Sequence, residues 1–323
     1  MMLSRVAERI YWMARYLERA ENTARLISVH TLLLMDMPEK MEIDWFTPVK
    51  IFNAESLFNQ THATVDEANV MQFLMADRNN PSSLLSSFAN VRENVRTSLD
   101  LLPDEIWEQV NQTYMQLQAA VPLWDSRHHR QVVLREVMAS CQRIRGVLDS
   151  NLSRGYAFDF TQIGKHIERA DMTSRTLEMT SLLLSDARSD ALRRYEGILW
   201  TSLLSALGAR QMYLRHKSPR ISGRDVLDFL CKDKEFPRSL LYSLLDVDYY
   251  LSRLPEPDVV RAISFRMMEQ FAAQEVAAIP VDQIHVFMDK LQADLTVLHS
   301  EIAHTWFYPA VDFSQWQSQG QTD

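Results

Sequence analysis

The chain has 323 residues, of which 46% are hydrophobic and 24% charged, with a net charge of −8 at neutral pH. This acidic balance argues against a broadly nucleic-acid-binding surface, which needs clustered Lys and Arg. The seven glycines and two cysteines do not form a P-loop, a dinucleotide-binding turn, a nucleophile elbow or a CxxC pair. The motifs therefore predict no cofactor, metal or nucleophile.

Apolar residues recur at helical spacing along nearly the whole chain, and no alternating strand pattern stands out. Proline and capping residues divide this pattern, which predicts an all-α multi-helix bundle. In chain order, the predicted helices cover 3–35, a segment opened by a capping box at 64–67, a segment from the turn at 79–81 to about 99, 103–122, 126–152, 161–186, 189–216, 223–231, 237–253, 258–275 and 281–306.

The chain also carries internal matches. "ERAENTAR" at 18–25 matches "ERADMTSR" at 168–175, and "FLMADRNNPSSLL" at 73–85 matches "FLCKDKEFPRSLL" at 229–241. The offsets are 150 (168 minus 18) and 156 (229 minus 73), and "LSR" returns at 3–5 and 152–154. Collinear matches predict a tandem duplication of about 150 residues: a first helical repeat over 1–150, a second over 151–312, and a polar tail over 313–323.

On a helical wheel the first predicted helix has an apolar stripe on one arc. The opposite arc mixes charged and aromatic side chains: Arg5, Glu8, Tyr11, Trp12, Arg15, Glu18, Arg19, Glu21 and Arg25. The second copy supplies the corresponding set Lys165, Glu168, Arg169, Asp171 and Arg175. A solvated face with i,i+3 and i,i+4 ion pairs is the ordinary interpretation. Aromatic rings among the charges, and their retention in both copies, favour instead enclosed couples that pair with each other or with a ligand.

Arginine forks suit carboxylates and phosphates. An enclosed Glu–Arg lattice therefore either fixes helix packing or binds an anionic ligand through Arg5, Arg15 or Arg19. Because the second copy has no counterpart of Tyr11–Trp12, we expect any ligand site to be richer on the N-terminal side. Glu301–His304 is an ExxH pair of the type found in di-iron bundles, but the chain lacks the second ExxH that such a site needs.

The segments "LSRVAERIYWMARYLERAENTARLI", "IGKHIERADMTSRTLEM" and "FLxxDxxxPxSL" resemble the alpha-E domain family, an all-helical bacterial domain named for its ER motif. The resemblance covers nearly the whole chain up to about residue 310. It implies association with a circularly permuted ATP-grasp protein, often together with a transglutaminase-like cysteine peptidase. It carries no catalytic residue over to this sequence.

We therefore expect a non-catalytic helical partner of an ATP-grasp amide ligase, which binds the ligase or its anionic peptide-like substrate. One alternative is an enzyme that uses Glu8 or Glu18 as acid or base, with arginines holding a carboxylate or phosphate. Another is a purely structural scaffold. No secretory signal is visible, and the apolar stretch at 26–35 is too short to span a bilayer, which predicts a cytoplasmic protein without membrane or nucleic-acid partners.

Overall fold

The computed structural model describes residues 4–37, 43–124, 126–185, 195–217 and 219–308. Over these residues the chain is helical and contains no strand, which confirms the all-α prediction. The helices are α1 (Ser4–Asp36), α2 (Thr47–Ile51), α3 (Glu55–Thr61), α4 (Glu67–Met75), α5 (Leu84–Arg96), α6 (Asp104–Ala120), α7 (Arg127–Asn151), α8 (Tyr156–Ser185), α9 (Glu196–Ala206), α10 (Arg210–His216), α11 (Gly223–Lys232), α12 (Leu240–Leu251), α13 (Asp258–Ala273) and α14 (Ile284–Ile302).

The two longest described helices, α1 and α8, form the centre. α1 packs against α5 and α7, and α6 completes that group by contacting both. α8 packs against α12 and α14 in the same way, with α13 touching both. Each group is a four-helix bundle, and the two bundles meet where α1 packs along α8.

Equivalent local contacts recur in the two groups. Ser83 caps α5 by accepting a hydrogen bond from the Ser86 N–H at 3.1 Å, and Ser239 caps α12 through the Tyr242 N–H at the same distance. These caps satisfy first-turn N–H groups in matched positions. Such pairs support the predicted duplication, which stays a prediction, as does the division near residue 150.

Most predicted helices occur within a few residues of their expected ends, and three details differ. The cap of α4 is Asp66, which accepts from the Asn69 N–H at 2.9 Å, rather than Thr64. The single helix predicted over 189–216 is wrong in its described part, because Gly208 takes φ +63° between α9 and α10. The short helices α2 and α3 were not predicted. The predicted tail at 313–323 lies outside the described residues.

Candidate functional site

The close contact between α1 and α8 begins at Gly164. A Cβ on Gly164 would lie 2.4 Å from the backbone oxygen of Tyr11, closer than any side chain tolerates. One turn further along each helix, Arg15 Nε donates to Glu168 Oε2 at 2.8 Å. Contacts that advance together along both helices show that α1 and α8 run parallel. The glycine therefore sets the spacing at which their polar side chains meet.

The two Glu–Arg couples of the matched octapeptides pair with each other across this contact. Arg169 donates to both Glu18 oxygens, from Nε and Nη2, at 3.0 Å each. Arg19 donates to both Glu168 oxygens at 2.5 and 2.9 Å. Each glutamate of one couple thus receives the two-point fork of the other couple's arginine, the strongest form of ion pair between these residue types.

Two further arginines reach Glu18 from other parts of the chain. Arg145 on α7 donates from Nη1 to Glu18 Oε2 at 2.8 Å, and Arg238, just before α12, donates from Nη1 to Oε1 at 3.0 Å. Glu18 is fully buried. Three guanidinium groups therefore surround one carboxylate, which provides the dense hydrogen bonding that a buried charge requires.

Glu21, one turn after Glu18, is held by the same two arginines. Arg238 Nη2 donates to Glu21 Oε1 at 3.0 Å, and Arg145 Nη2 forms an ion pair with Oε2. Arg25 donates to Oε1 at 2.5 Å within α1. We call this set the Glu–Arg network; it comprises Glu18, Glu21, Glu168, Arg15, Arg19, Arg25, Arg145, Arg169 and Arg238.

The network keeps the carboxylates of Glu18 and Glu168 ionised. Burial by itself would raise the pKa of Glu18, yet the charges of Arg169, Arg238 and Arg145 hold that pKa well below its ordinary value. Burial likewise opposes ionisation of Glu168, but Arg19 and Arg15 lower its pKa to about 2. Neither carboxylate carries a proton at neutral pH, so neither is poised as a general acid.

The aromatic residues near the start of the network pack around Arg15. Its guanidinium lies 4.8 Å from the Trp12 ring centroid, and its Nη1 is 3.3 Å from the Tyr11 hydroxyl. The same hydroxyl contacts His299 Nδ1 on α14 at 2.9 Å. Tyr11 is fully buried and Trp12 partly buried. These rings therefore enclose Arg15 by packing and cation–π contact.

Other predicted site residues lie outside this network. Arg5 is exposed in the first turn of α1, ten residues and about 15 Å before Arg15. The Glu8 carboxylate accepts a hydrogen bond from the Tyr308 hydroxyl near the surface. Asp171 and Arg175 form a separate i,i+4 pair at 2.9 Å on α8, matching Glu21–Arg25 on α1.

Lys165 occupies the position on α8 that corresponds to Arg15, but its environment differs. Its Nζ donates to Gln162 Oε1, and no carboxylate contacts it directly in the described part of the chain. Burial, followed by the charge on Arg169, lowers the pKa of Lys165 to about 8, against the opposing effect of Asp149 and Glu18. Half of this amine is therefore neutral near pH 8.

Sequence reasoning missed Arg145 and Arg238. Arg238 lies in the matched segment "FPRSLL", where the first copy has Ser82 in "NPSSLL". The signal available for Arg238 was therefore a charged residue that only one of the two copies carries. Arg145 has no such signal, because it lies in a helix without an internal match. The expectation that a ligand site would be richer on the N-terminal side stays a prediction. Glu18 on α1 has three guanidinium partners, and Glu168 on α8 has two.

The surroundings of the network show no metal-binding arrangement. Among the described residues, no group of three or more His, Cys, Asp or Glu side chains is placed to hold a metal ion. His304 of the ExxH pair is exposed. No helix in the described ranges combines the length and apolar character needed to cross a bilayer.

Comparison with known proteins finds one family. The model of the Alpha-E family, described as "a predicted alpha-helical domain with a conserved ER motif", matches residues 2–307. The chain is also similar to an uncharacterized protein of Mycobacterium bovis, with 24% identity over 91% of this chain and 34% of that protein. A similar uncharacterized protein of Mycobacterium tuberculosis strain H37Rv is 23% identical over the same shares. The chain thus spans about a third of these relatives' length, and no solved structure matches it.

Proposed function

We propose, from the premise that this chain belongs to the Alpha-E family, that it is a non-catalytic helical partner of a circularly permuted ATP-grasp amide ligase. The observation that carries the non-catalytic part is the reciprocal pairing of Glu18 with Arg169 and of Glu168 with Arg19. Through this pairing the ER couples hold α1 and α8 together, and we call the pairing the clamp. In this role the chain presents a rigid helical body to the ligase or to its anionic peptide-like substrate.

The acid–base alternative finds less support. A general acid or base needs a pKa near the working pH, and arginines hold the pKa of Glu18 well below its ordinary range. Glu8 lies near the surface beside Tyr308 and is remote from the enclosed arginines. A purely structural scaffold would have the same clamp between α1 and α8. It differs from our proposal only in having no ligase partner.

Support for a partner comes from the resemblance and from chain length. Members of the family are expected beside, or fused to, a circularly permuted ATP-grasp protein. The relatives are about three times as long as the segment that this chain matches, as a fusion to further domains would require. A transglutaminase-like cysteine peptidase is a second candidate partner. Because an ATP-dependent ligase works where ATP is available, the proposal includes a cytoplasmic location.

The pattern of exposure along the charged face of α1 supports one location for the proposed contact. Residues 13–24 of α1 are buried except for Tyr16 and Arg19, which are half-buried. The part of that face still open to a protein partner lies at its start, around Arg5 and Glu8. We therefore place the contact with the ligase at the first two turns of α1.

Co-purification tests this proposal. A tagged circularly permuted ATP-grasp protein from the same organism is expected to retain the chain on an affinity column, and its ATP turnover is expected to change when the chain is added. Arg5→Glu should weaken retention at least fivefold. Arg266→Glu reverses an exposed charge on α13 and should leave retention unchanged. Failure of the wild-type chain to co-purify, with ligase turnover the same in its absence, would overturn the partnership.

We also infer that the two bundles arose by duplication. Thr23 Oγ1 donates to the backbone oxygen of Ser82 at 3.4 Å, and Thr173 Oγ1 donates to that of Arg238 at 3.3 Å. Both pairs follow the offsets of the sequence matches, 150 for the threonines (173 minus 23) and 156 for their acceptors (238 minus 82). Two copies of one ancestral bundle would retain such contacts, in which both the donor and the acceptor occupy matched positions.

A further inference from the structure

A groove with a volume of about 610 Å³ lies between the last turns of α13 and the first half of α14. The connection between these helices contains two short 3-10 turns, Val276–Ala278 and Val281–Gln283, and contributes Ile279 and Gln283 to the lining. Volumes of roughly 300–1,000 Å³ are typical of small-molecule sites. The groove shares no residue with the Glu–Arg network, so the pairing of the two bundles does not explain it.

The floor of the groove is apolar and is held in place by the protein. It is lined by six apolar side chains: Met267, Phe271 and Leu291, which are buried, Ile279 and Phe287, which are half-buried, and Val286, which is 60% exposed. The rings of Phe271 and Phe287 stack with their centroids 5.4 Å apart, which joins α13 to α14. Lys232 of α11 donates to the backbone oxygens of Phe271 and Ala272 at the end of α13. The floor therefore exists before any ligand binds.

Polar side chains surround this floor. Five of them line the groove: Gln270, Gln274, Gln283, Lys290 and Asp294. Within the described part of the chain, none of these five side chains makes a hydrogen bond or an ion pair with another residue. A glutamine amide donates and accepts at the same time. The rim therefore offers unused donors and acceptors beside an apolar surface, which is the combination found in ligand sites.

The two charged groups of the rim carry opposite signs. Lys290 and Asp294 are four residues apart on α14, a spacing at which such side chains commonly pair, yet no ion pair joins them in the described structure. Four residues of helix span about 6 Å, and two residues of extended chain span about 7 Å. The ammonium group of Lys290 and the carboxylate of Asp294 thus match the carboxylate and the ammonium group at the two ends of a dipeptide.

We propose that the groove binds a free dipeptide that carries a bulky apolar side chain. That side chain packs on the floor against Phe271, Phe287 and Val286, and the glutamine amides pair with the peptide bond. Lys290 and Asp294 pair with the terminal charges. A fatty acyl chain would leave the glutamines and one of the two charges unused, which favours the peptide. The site goes beyond the proposed partnership, because it lies on α13 and α14 rather than at the start of α1 and needs no ligase.

Isothermal titration calorimetry on the full chain tests the site, with the dipeptide phenylalanyl-leucine as the probe. Saturable binding is expected. The same dipeptide blocked by acetyl and amide groups lacks both terminal charges and should bind at least fivefold more weakly. Decanoate tests an acyl chain as the occupant and should bind at least tenfold more weakly. The proposal is overturned if phenylalanyl-leucine does not bind saturably up to millimolar concentration, or if the blocked dipeptide or decanoate binds as tightly.

Two valines of α14 provide a matched pair of variants. Val286→Asp places a charge at the apolar floor and should weaken binding of phenylalanyl-leucine at least tenfold. Val297 is 56% exposed and does not line the groove, so Val297→Asp should leave the affinity unchanged. Circular dichroism checks that both variants fold. If Val286→Asp binds as tightly as Val297→Asp, the groove is not the site and the proposal is overturned. Neither result bears on co-purification with the ligase, so the two proposals fail separately.

Discussion

Glu18 on α1 and Arg169 on α8, 151 residues apart, pair through two parallel hydrogen bonds of 3.0 Å. The reverse pair, Arg19 with Glu168, spans 149 residues with the same two-point geometry. Adjacent Glu and Arg on each of two parallel helices can satisfy each other in this crossed manner. A shift of either helix by one residue would break both forks at once, so the pairs fix the register of α1 against α8.

The first prediction concerns the strength of this clamp. Glu168→Gln leaves Arg15 and Arg19 partly buried without their carboxylate, and loss of one partner of a buried pair typically costs about 3–5 kcal/mol. Glu178→Gln is the matched control on the same helix, since Glu178 accepts from neutral Gln292 and burial raises its pKa. Urea denaturation should show a large loss of unfolding free energy for Glu168→Gln and little change for the control. Equal losses would contradict the clamp.

The second prediction is an acid dependence. The folded-state pKa of Glu168 is about 2, against an ordinary value of 4.5. Between these values the unfolded chain binds more protons, so the stability that Glu168 contributes is complete above about pH 4.5 and is lost as pH falls toward 2. The difference in unfolding free energy between wild type and Glu168→Gln should therefore shrink over this range. A difference that stays constant from pH 6 to pH 3 would show that the ionised carboxylate is not what stabilises the fold.

The third prediction compares two glycines inside helices. Gly164→Ala places a Cβ against the Tyr11 backbone, which forces α1 and α8 apart and should cost about 1–3 kcal/mol. A Cβ on Gly146 of α7 meets nothing within 4 Å, so Gly146→Ala should gain about 0.5–1 kcal/mol from helix propensity. Thermal unfolding of both variants measures the opposite signs. Stabilisation by Gly164→Ala would mean that the close contact is not required.

The sequence predicts α1, α8 and their equivalence because apolar periodicity and repeated octapeptides are local signals. It also places Glu18 and Glu168 on a shared face. It does not predict that Arg5 lies outside the network. Arg5 is exposed in the first turn of α1, ahead of the close contact of α1 with α8 at Tyr11 and Gly164.

Arg145 and Arg238, which lie outside the octapeptides, could not be predicted from the sequence for a different reason. Arg145 and Arg238 reach Glu18 across separations of 127 and 220 residues. Such contacts depend on how α7 and the segment before α12 pack around α1, which no local pattern determines. The helical wheel also assigns α1 one apolar and one charged arc, whereas both arcs are covered in the fold, one by α5 and α7 and the other by α8.

The last prediction concerns Lys165, whose pKa is lowered to about 8 by burial and by the charge of Arg169. Competitive labelling with acetic anhydride across pH 6–11, read by mass spectrometry, should give Lys165 a midpoint near 8, below the ordinary lysine value of about 10.4. Between these values the unfolded chain keeps a proton that the folded chain has released, so Lys165 destabilises the fold below pH 8 and progressively less above it. Lys165→Met should therefore raise the unfolding free energy at pH 7 by more than it does at pH 9.5. A labelling midpoint near 10.4 for Lys165, or a stabilisation by Lys165→Met that is the same at both pH values, would show that this amine is not enclosed among cations.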